Sequence, residues 1–140
     1  MRRLATVLSV ATLASCEVCG PPGEPLVDAV IVFEAPPPAD RYLRIEMLNA
    51  QGEHLTTSSW LTPDEFATTD NNFRHSMGKC DQTLQQSGAF TMRAWLTLSR
   101  DAMVPDPLDP QGLTLFDVTC THERGCIAAS DSVRVTVREP

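Results

Sequence analysis

Positive charge is scarce in this 140-residue chain: Lys79 is its only lysine, and 11 Lys+Arg stand against 18 Asp+Glu for a formal charge of −7. Phosphate backbones need clustered cations, so nucleic acid is not expected as a partner. The sequence also lacks a Gly-x-Ser-x-Gly elbow, a P-loop, a dinucleotide fingerprint and a His-Glu-x-x-His pair. The enzyme classes that depend on those motifs are therefore excluded. No internal repeat is visible, and no apolar run approaches the ~20 residues of a membrane-spanning helix. What remains, 42% hydrophobic and 21% charged residues, is the composition of a globular chain long enough for one domain.

The start of the chain has a different character. Arg2 and Arg3 precede an apolar run from Leu4 to Ala14, followed by Ser15 and Cys16. Two cations, a short apolar stretch and small residues make an export signal. As a helix, Leu4 to Ser15 would span roughly 18 Å, well short of a hydrocarbon core about 30 Å thick.

The run closes on Leu13-Ala14-Ser15-Cys16, which resembles the lipobox of bacterial lipoproteins: a leucine, two small residues and a cysteine. The resemblance covers the first sixteen residues. It implies that residues 1–15 are removed as a signal peptide and that the Cys16 sulfur carries diacylglycerol through a thioether. The new amino group would then take a further acyl chain of the palmitate type. Two or three chains hold a protein on a membrane where one does not. Glu17 stands where some proteobacterial lipoproteins carry an aspartate that keeps them at the inner membrane, so the resemblance implies the outer membrane. Free secretion after ordinary signal cleavage is the alternative.

Five cysteines are an odd number for an oxidising compartment. Cys16 and Cys19 form Cys-x-x-Cys, but Gly20-Pro21-Pro22-Gly23 follows and cannot begin the helix that a redox thiolate needs. Lipidation at Cys16 leaves Cys19, Cys80, Cys120 and Cys126 as an even set. Cys120 and Cys126 flank a short turn, so the expected pairing is Cys120–Cys126 with Cys19–Cys80. A Cys80–Cys120 bridge is the alternative. Cys120, His122, Cys126, His75 and Cys80 match no standard zinc spacing, and neither a metal nor a cofactor is expected.

Residues 16–25 read as the lipidated cysteine and a stiff Pro/Gly-rich tether. Residues 26–140 read as one domain built from strands. Leu26 to Glu34 is β-branched and apolar, as in a strand covered on both faces. Arg41 to Leu48 alternates, Asn49-Ala50-Gln51-Gly52 is a turn, and a weaker strand runs from Glu53 to Trp60. Thr62-Pro63-Asp64-Glu65 is a helix start, predicting a short helix near Pro63 to Thr68. Asp70 to Ser87 reads as a long polar loop. Gly88 to Arg100 alternates most clearly, Leu113 to Cys120 is another strand, and Ser132 to Arg138 is the last.

Six or seven strands with little helix predict an all-β, antiparallel sandwich, stabilised by disulfides. The final Val133-x-Val135-x-Val137, after Asp131-Ser132, resembles the last strand of immunoglobulin-like and fibronectin-type modules of bacterial surface proteins. That resemblance spans about half the chain and implies an Ig-like architecture, without the antibody-type Cys…Trp…Cys order.

Trp95, flanked by Arg93 and Thr97 on the polar side of its strand, is a candidate binding face for glycan or a protein. The alternative is that the 63–87 segment covers this face, with Trp95 as packing anchor. His54, His75 and His122 are scattered and read as solvated surface groups. Asp106 and Asp109, like Asp64, Glu65 and Asp70, lack the calcium-loop pattern and read as ordinary loop acids. The expected function is a non-catalytic binding or structural module, held on the membrane by lipid, with an envelope protein or glycan as partner. A small lipid-anchored enzyme or inhibitor, with its site in the 63–87 or 101–112 loops, is the alternative.

Overall fold

The computed structural model describes residues 25–58, 60–66, 71–79, 87–121 and 125–140. Cys16, Cys19, Asp70, Cys80 and His122 lie outside them, and Cys120 and Cys126 are described by backbone alone. The lipidation at Cys16 and the Cys19–Cys80 pairing therefore fall outside the described residues, and the Cys120–Cys126 pairing falls outside the described side chains.

The elements are β1 (Pro25–Phe33), β2 (Tyr42–Leu48), β3 (His54–Thr57), α1 (Pro63–Phe66), β4 (Asn72–Lys79), β5 (Gly88–Thr97), β6 (Gln111–Thr121), β7 (Gly125–Ala128) and β8 (Ser132–Val137). They form a three-stranded sheet, β4-β1-β8, and a five-stranded sheet, β3-β2-β5-β6-β7. Alternation decides which residues face the shared core. Val27, Ala29, Ile31 and Phe33 enter it from β1, Leu43, Ile45 and Met47 from β2, and Phe90, Met92, Ala94 and Leu96 from β5. Val133, Val135 and Val137 complete it from β8. Leu26 and Val30 on the other face of β1 are buried as well, in keeping with the unbroken apolar run.

Two features depart from the expectations. First, the arrangement is not purely antiparallel, because β1 runs parallel to β8, from Asp28↔Ser132 to Phe33↔Val137. Hydrophobic period cannot distinguish the two pairings, since both alternate every second residue. Second, the span from Asp70 to Ser87 contains a strand, β4, paired antiparallel with β1. Its residues are poor strand formers, but Phe73 and Met77 lie opposite Ile31 and Val27 and pack on the core. As the sheet edge, β4 leaves its other face to water, and tertiary pairing overrides weak propensity. On β6, Leu113 and Leu115 point outward and are 64% and 68% exposed, while the inner positions are Gly112, Thr114, Phe116 and Val118, opposite Ala94, Met92, Phe90 and Gly88.

Gly112 is required where the two sheets meet. A Cβ there would land on the Thr136 carbonyl oxygen, so only glycine lets β6 pass this close to β8. The contact is sealed by Gln111 and Arg138, whose backbones exchange bonds of 3.0 and 3.2 Å. Thr114 Oγ1 adds a 2.6 Å bond to the Arg134 carbonyl.

Local signals hold where they were strong. The Glu65 carboxylate accepts the Thr62 backbone N–H at 2.6 Å, the returning half of a capping box, and α1 buries Phe66 against Phe33. Asn49 Oδ1 accepts from the N–H groups of Gln51 and Glu53, and Gly52 takes φ +77°, so the turn closes the β2–β3 hairpin.

The strand directions give the domain two poles. At one, Pro25 enters β1 opposite Lys79, β8 begins at Ser132, and Gly88 of β5 lies opposite Val118. The β6–β7 hairpin projects beyond that end. At the other pole lie the ends of β1, β5 and β8, the start of β2 and β6, and the 98–110 loop. Nine residues of β1 separate the poles by about 30 Å.

Candidate functional site

The outer face of the five-stranded sheet carries a charged layer. In the β2–β5 register Arg44 lies opposite Trp95, and Glu46 lies opposite Arg93. Cross-strand neighbours of this kind have Cβ atoms about 5 Å apart. Arg93 and Glu46 form an ion pair, and the Arg93 guanidinium carbon is 5.4 Å from the centroid of the Trp95 ring, within cation–π range.

An exposed platform of Trp95, Arg93 and Thr97 is not what the structure contains. Trp95 is 0% exposed, and Thr97, Arg44 and Glu46 are buried with it. Alternation assigns a residue to a face but is silent on whether another segment covers that face. The 98–110 loop folds onto this one, with Met103 Sδ 3.8 Å from Arg44 Nη2. Thr97 serves the start of that loop, its hydroxyl paired with the Ser99 backbone at 3.2 Å.

The layer is incompletely satisfied. Among the described residues, Trp95 Nε1, Arg44 Nε and Arg93 Nε are buried with no hydrogen-bond partner. An unmet buried donor costs roughly 1–3 kcal/mol. Two guanidinium groups face one carboxylate here, so the layer has a surplus of donors and of positive charge.

The 98–110 loop is tied down at both ends. Arg100 places its guanidinium 5.0 Å from the ring centroids of both Tyr42 and Trp60. Arg41 Nη1 binds Asp109 Oδ1 at 2.9 Å and the Leu96 carbonyl at 3.3 Å. Asp109 Oδ2 accepts the Asp106 N–H, and Asp106 Oδ1 accepts the Leu108 N–H, both at 2.9 Å. Both carboxylate oxygens of Asp109 and Oδ1 of Asp106 thus hold the loop's shape. Between loop and sheet end lies an open cleft of about 640 Å³, with Arg41, Leu98, Ala102, Val104 and Leu108 on its wall. Leu98, Met103, Val104 and Leu108 are all exposed, an apolar surface of the sort found where a partner docks.

The histidines do not assemble. His54 lies on edge strand β3, whereas His75 lies on β4 with its ring stacked on Phe73 at 6.1 Å. Burial lowers the His75 pKa, because a desolvated imidazole disfavours its charged form. Among the described residues, no three His, Cys, Asp or Glu side chains gather as metal ligands would. Asp64 and Glu65 belong to the turn of α1.

Arg41, Arg44, Glu46 and Arg100 were not singled out from the sequence. Arg44 and Glu46 sit on the polar side of a clear strand, where charged residues read as solvated. The one available signal was that they share a face with Trp95, a large apolar ring out of place on a solvated face. Comparisons with protein-family models, with curated proteins and with solved structures found no match for this chain.

Proposed function

We propose that this chain is a bacterial envelope lipoprotein. Residues 1–15 are removed, Cys16 is lipidated, and residues 26–140 form an immunoglobulin-like β-sandwich that acts as a non-catalytic binding or structural module at the outer membrane. The observation that carries this reading is Leu13-Ala14-Ser15-Cys16 at the end of an arginine-led apolar run.

The polarity of the fold supports it. The tether of residues 16–25 joins β1 at Pro25, on the pole opposite the 98–110 cleft. A chain held by Cys16 therefore presents its cleft and the apolar group Leu98, Met103, Val104 and Leu108 away from the membrane, toward an envelope protein or glycan. The residues described on the cleft wall include Arg41 and no aromatic ring, which suits a protein partner better than a sugar, since sugars stack on exposed aromatic rings. Two sheets sharing one core support the Ig-like reading, with the parallel β1–β8 pair as a departure from it.

Disulfide pairing of Cys19 with Cys80 belongs to the same reading. Lys79 lies opposite Pro25, so the chain enters the domain beside the residue that precedes Cys80. Fractionation tests the anchor. The intact chain produced in a bacterium partitions with the outer membrane, and Cys16→Ala releases it or leaves it unprocessed. Equal membrane retention of a processed Cys16→Ala protein overturns the reading.

A further inference from the structure

Arg44 carries a charge that its surroundings do not answer. It is 7% exposed, and a guanidinium cannot relieve its burial by losing a proton. Glu46, the carboxylate two residues along β2 on the same face, is paired with Arg93. Arg44 Nη2 faces the Met103 thioether at 3.8 Å, and among the described residues Arg44 Nε has no acceptor. A buried cation ordinarily keeps a paired anion and a full set of hydrogen bonds.

The chemistry of these donors specifies what would satisfy them. Nε–H and one Nη2–H lie along the same edge of a guanidinium, on which a planar carboxylate is held by two parallel bonds. Sulfur is a weak acceptor, so Met103 fills one position of that edge poorly and leaves the other unmet. Trp95 lies opposite Arg44 in the β2–β5 register, and its indole N–H is also buried without an acceptor. Glu46, beside Arg44, would repel a second negative charge, so a monoanion fits this face better than a dianion. Met103 is 65% exposed and lies outside the core cluster, so moving it off Arg44 uncovers no core.

We propose that Arg44 and the Trp95 indole N–H bind a small monocarboxylate, which takes the place of the Met103 thioether on the Nε–Nη2 edge. One carboxylate oxygen accepts from Arg44 Nε and the other from Nη2, and Trp95 Nε1 donates to one of them. With the ligand bound, the two guanidinium groups of this layer face two carboxylates, and its surplus of positive charge is gone. The site belongs to the outer sheet face and is independent of the anchor at Cys16.

The test titrates the full chain, in nonionic detergent at neutral pH, with sodium acetate exchanged for sodium chloride at constant ionic strength. Indole and guanidinium N–H signals are followed by proton–nitrogen NMR, and Trp60→Phe assigns the Trp95 signal. The Trp95 and Arg44 Nε–H signals move together and saturate, with a half-effect on the order of 1 mM. Arg44→Lys keeps the charge but loses the two-point edge, and raises that half-effect roughly tenfold or more. The unaltered chain decides the matter by itself if the variant does not fold. Signals that stay in place, that move without saturating, or that respond equally in folded Arg44→Lys overturn the proposal. So does an equal response to succinate or inorganic phosphate, because the place beside Glu46 selects a single charge.

Discussion

Arg41 Nη1 lies 2.9 Å from Asp109 Oδ1, a tie between residues 68 apart in sequence. It pins the far end of the 98–110 loop to the chain entering β2. Asp109→Ala removes this bond and the one from the Asp106 N–H, leaving a half-buried guanidinium poorly paired. We predict a loss of roughly 1–3 kcal/mol in urea unfolding. Glu34→Ala, which breaks the exposed pair with Arg138, costs no more than about 0.5 kcal/mol.

Gly112→Ala drives a methyl group into the Thr136 carbonyl. Because the obstacle is backbone, β6 and β8 must separate. The expected cost is roughly 1–3 kcal/mol, read as a lowered thermal midpoint. Gly52→Ala meets no obstructing atom, but Gly52 has φ +77°, so its cost is backbone strain of about 1 kcal/mol.

The two tryptophans are set apart by exposure, 0% for Trp95 and 40% for Trp60. Acrylamide quenches the emission of Trp60 and spares that of Trp95. A Trp60→Phe protein therefore shows weak quenching in the folded state and strong quenching in urea. Strong quenching of the folded variant restores an exposed binding face at Trp95.

His75 gives a pH dependence with a defined sign. Its folded pKa lies below the usual 6.5 because of burial. As pH falls through 6.5 the unfolded chain takes up the proton first, so stability decreases from there down to the folded pKa. Above that window the group contributes no pH dependence. His75→Gln flattens this part of the curve of unfolding free energy against pH, and an unchanged slope refutes the assignment.

Much of the fold was legible where local rules and tertiary packing agree. The alternation in β5, the Val133-Val135-Val137 series, the apolar run of β1 and the Thr62–Glu65 cap each specify their element. Edge strand β4 was hidden because its pairing comes from β1 and only Phe73 and Met77 carry its pattern. The parallel β1–β8 pairing leaves no trace in a period of two. At the candidate site Trp95 was visible, but its burial was not, since cover from the 98–110 loop depends on contacts such as Arg41–Asp109 across distant sequence. Gly112 was indistinguishable from any other strand glycine until β8 was in place.

Everything proposed about location and orientation depends on Cys16, and the mass of the mature amino-terminal peptide tests it most directly. Protein isolated from a bacterial membrane should begin at Cys16, with diacylglycerol on the sulfur and a further acyl chain on the amino group. A mature chain that begins elsewhere, or a Cys16 peptide with no acyl mass, contradicts the account.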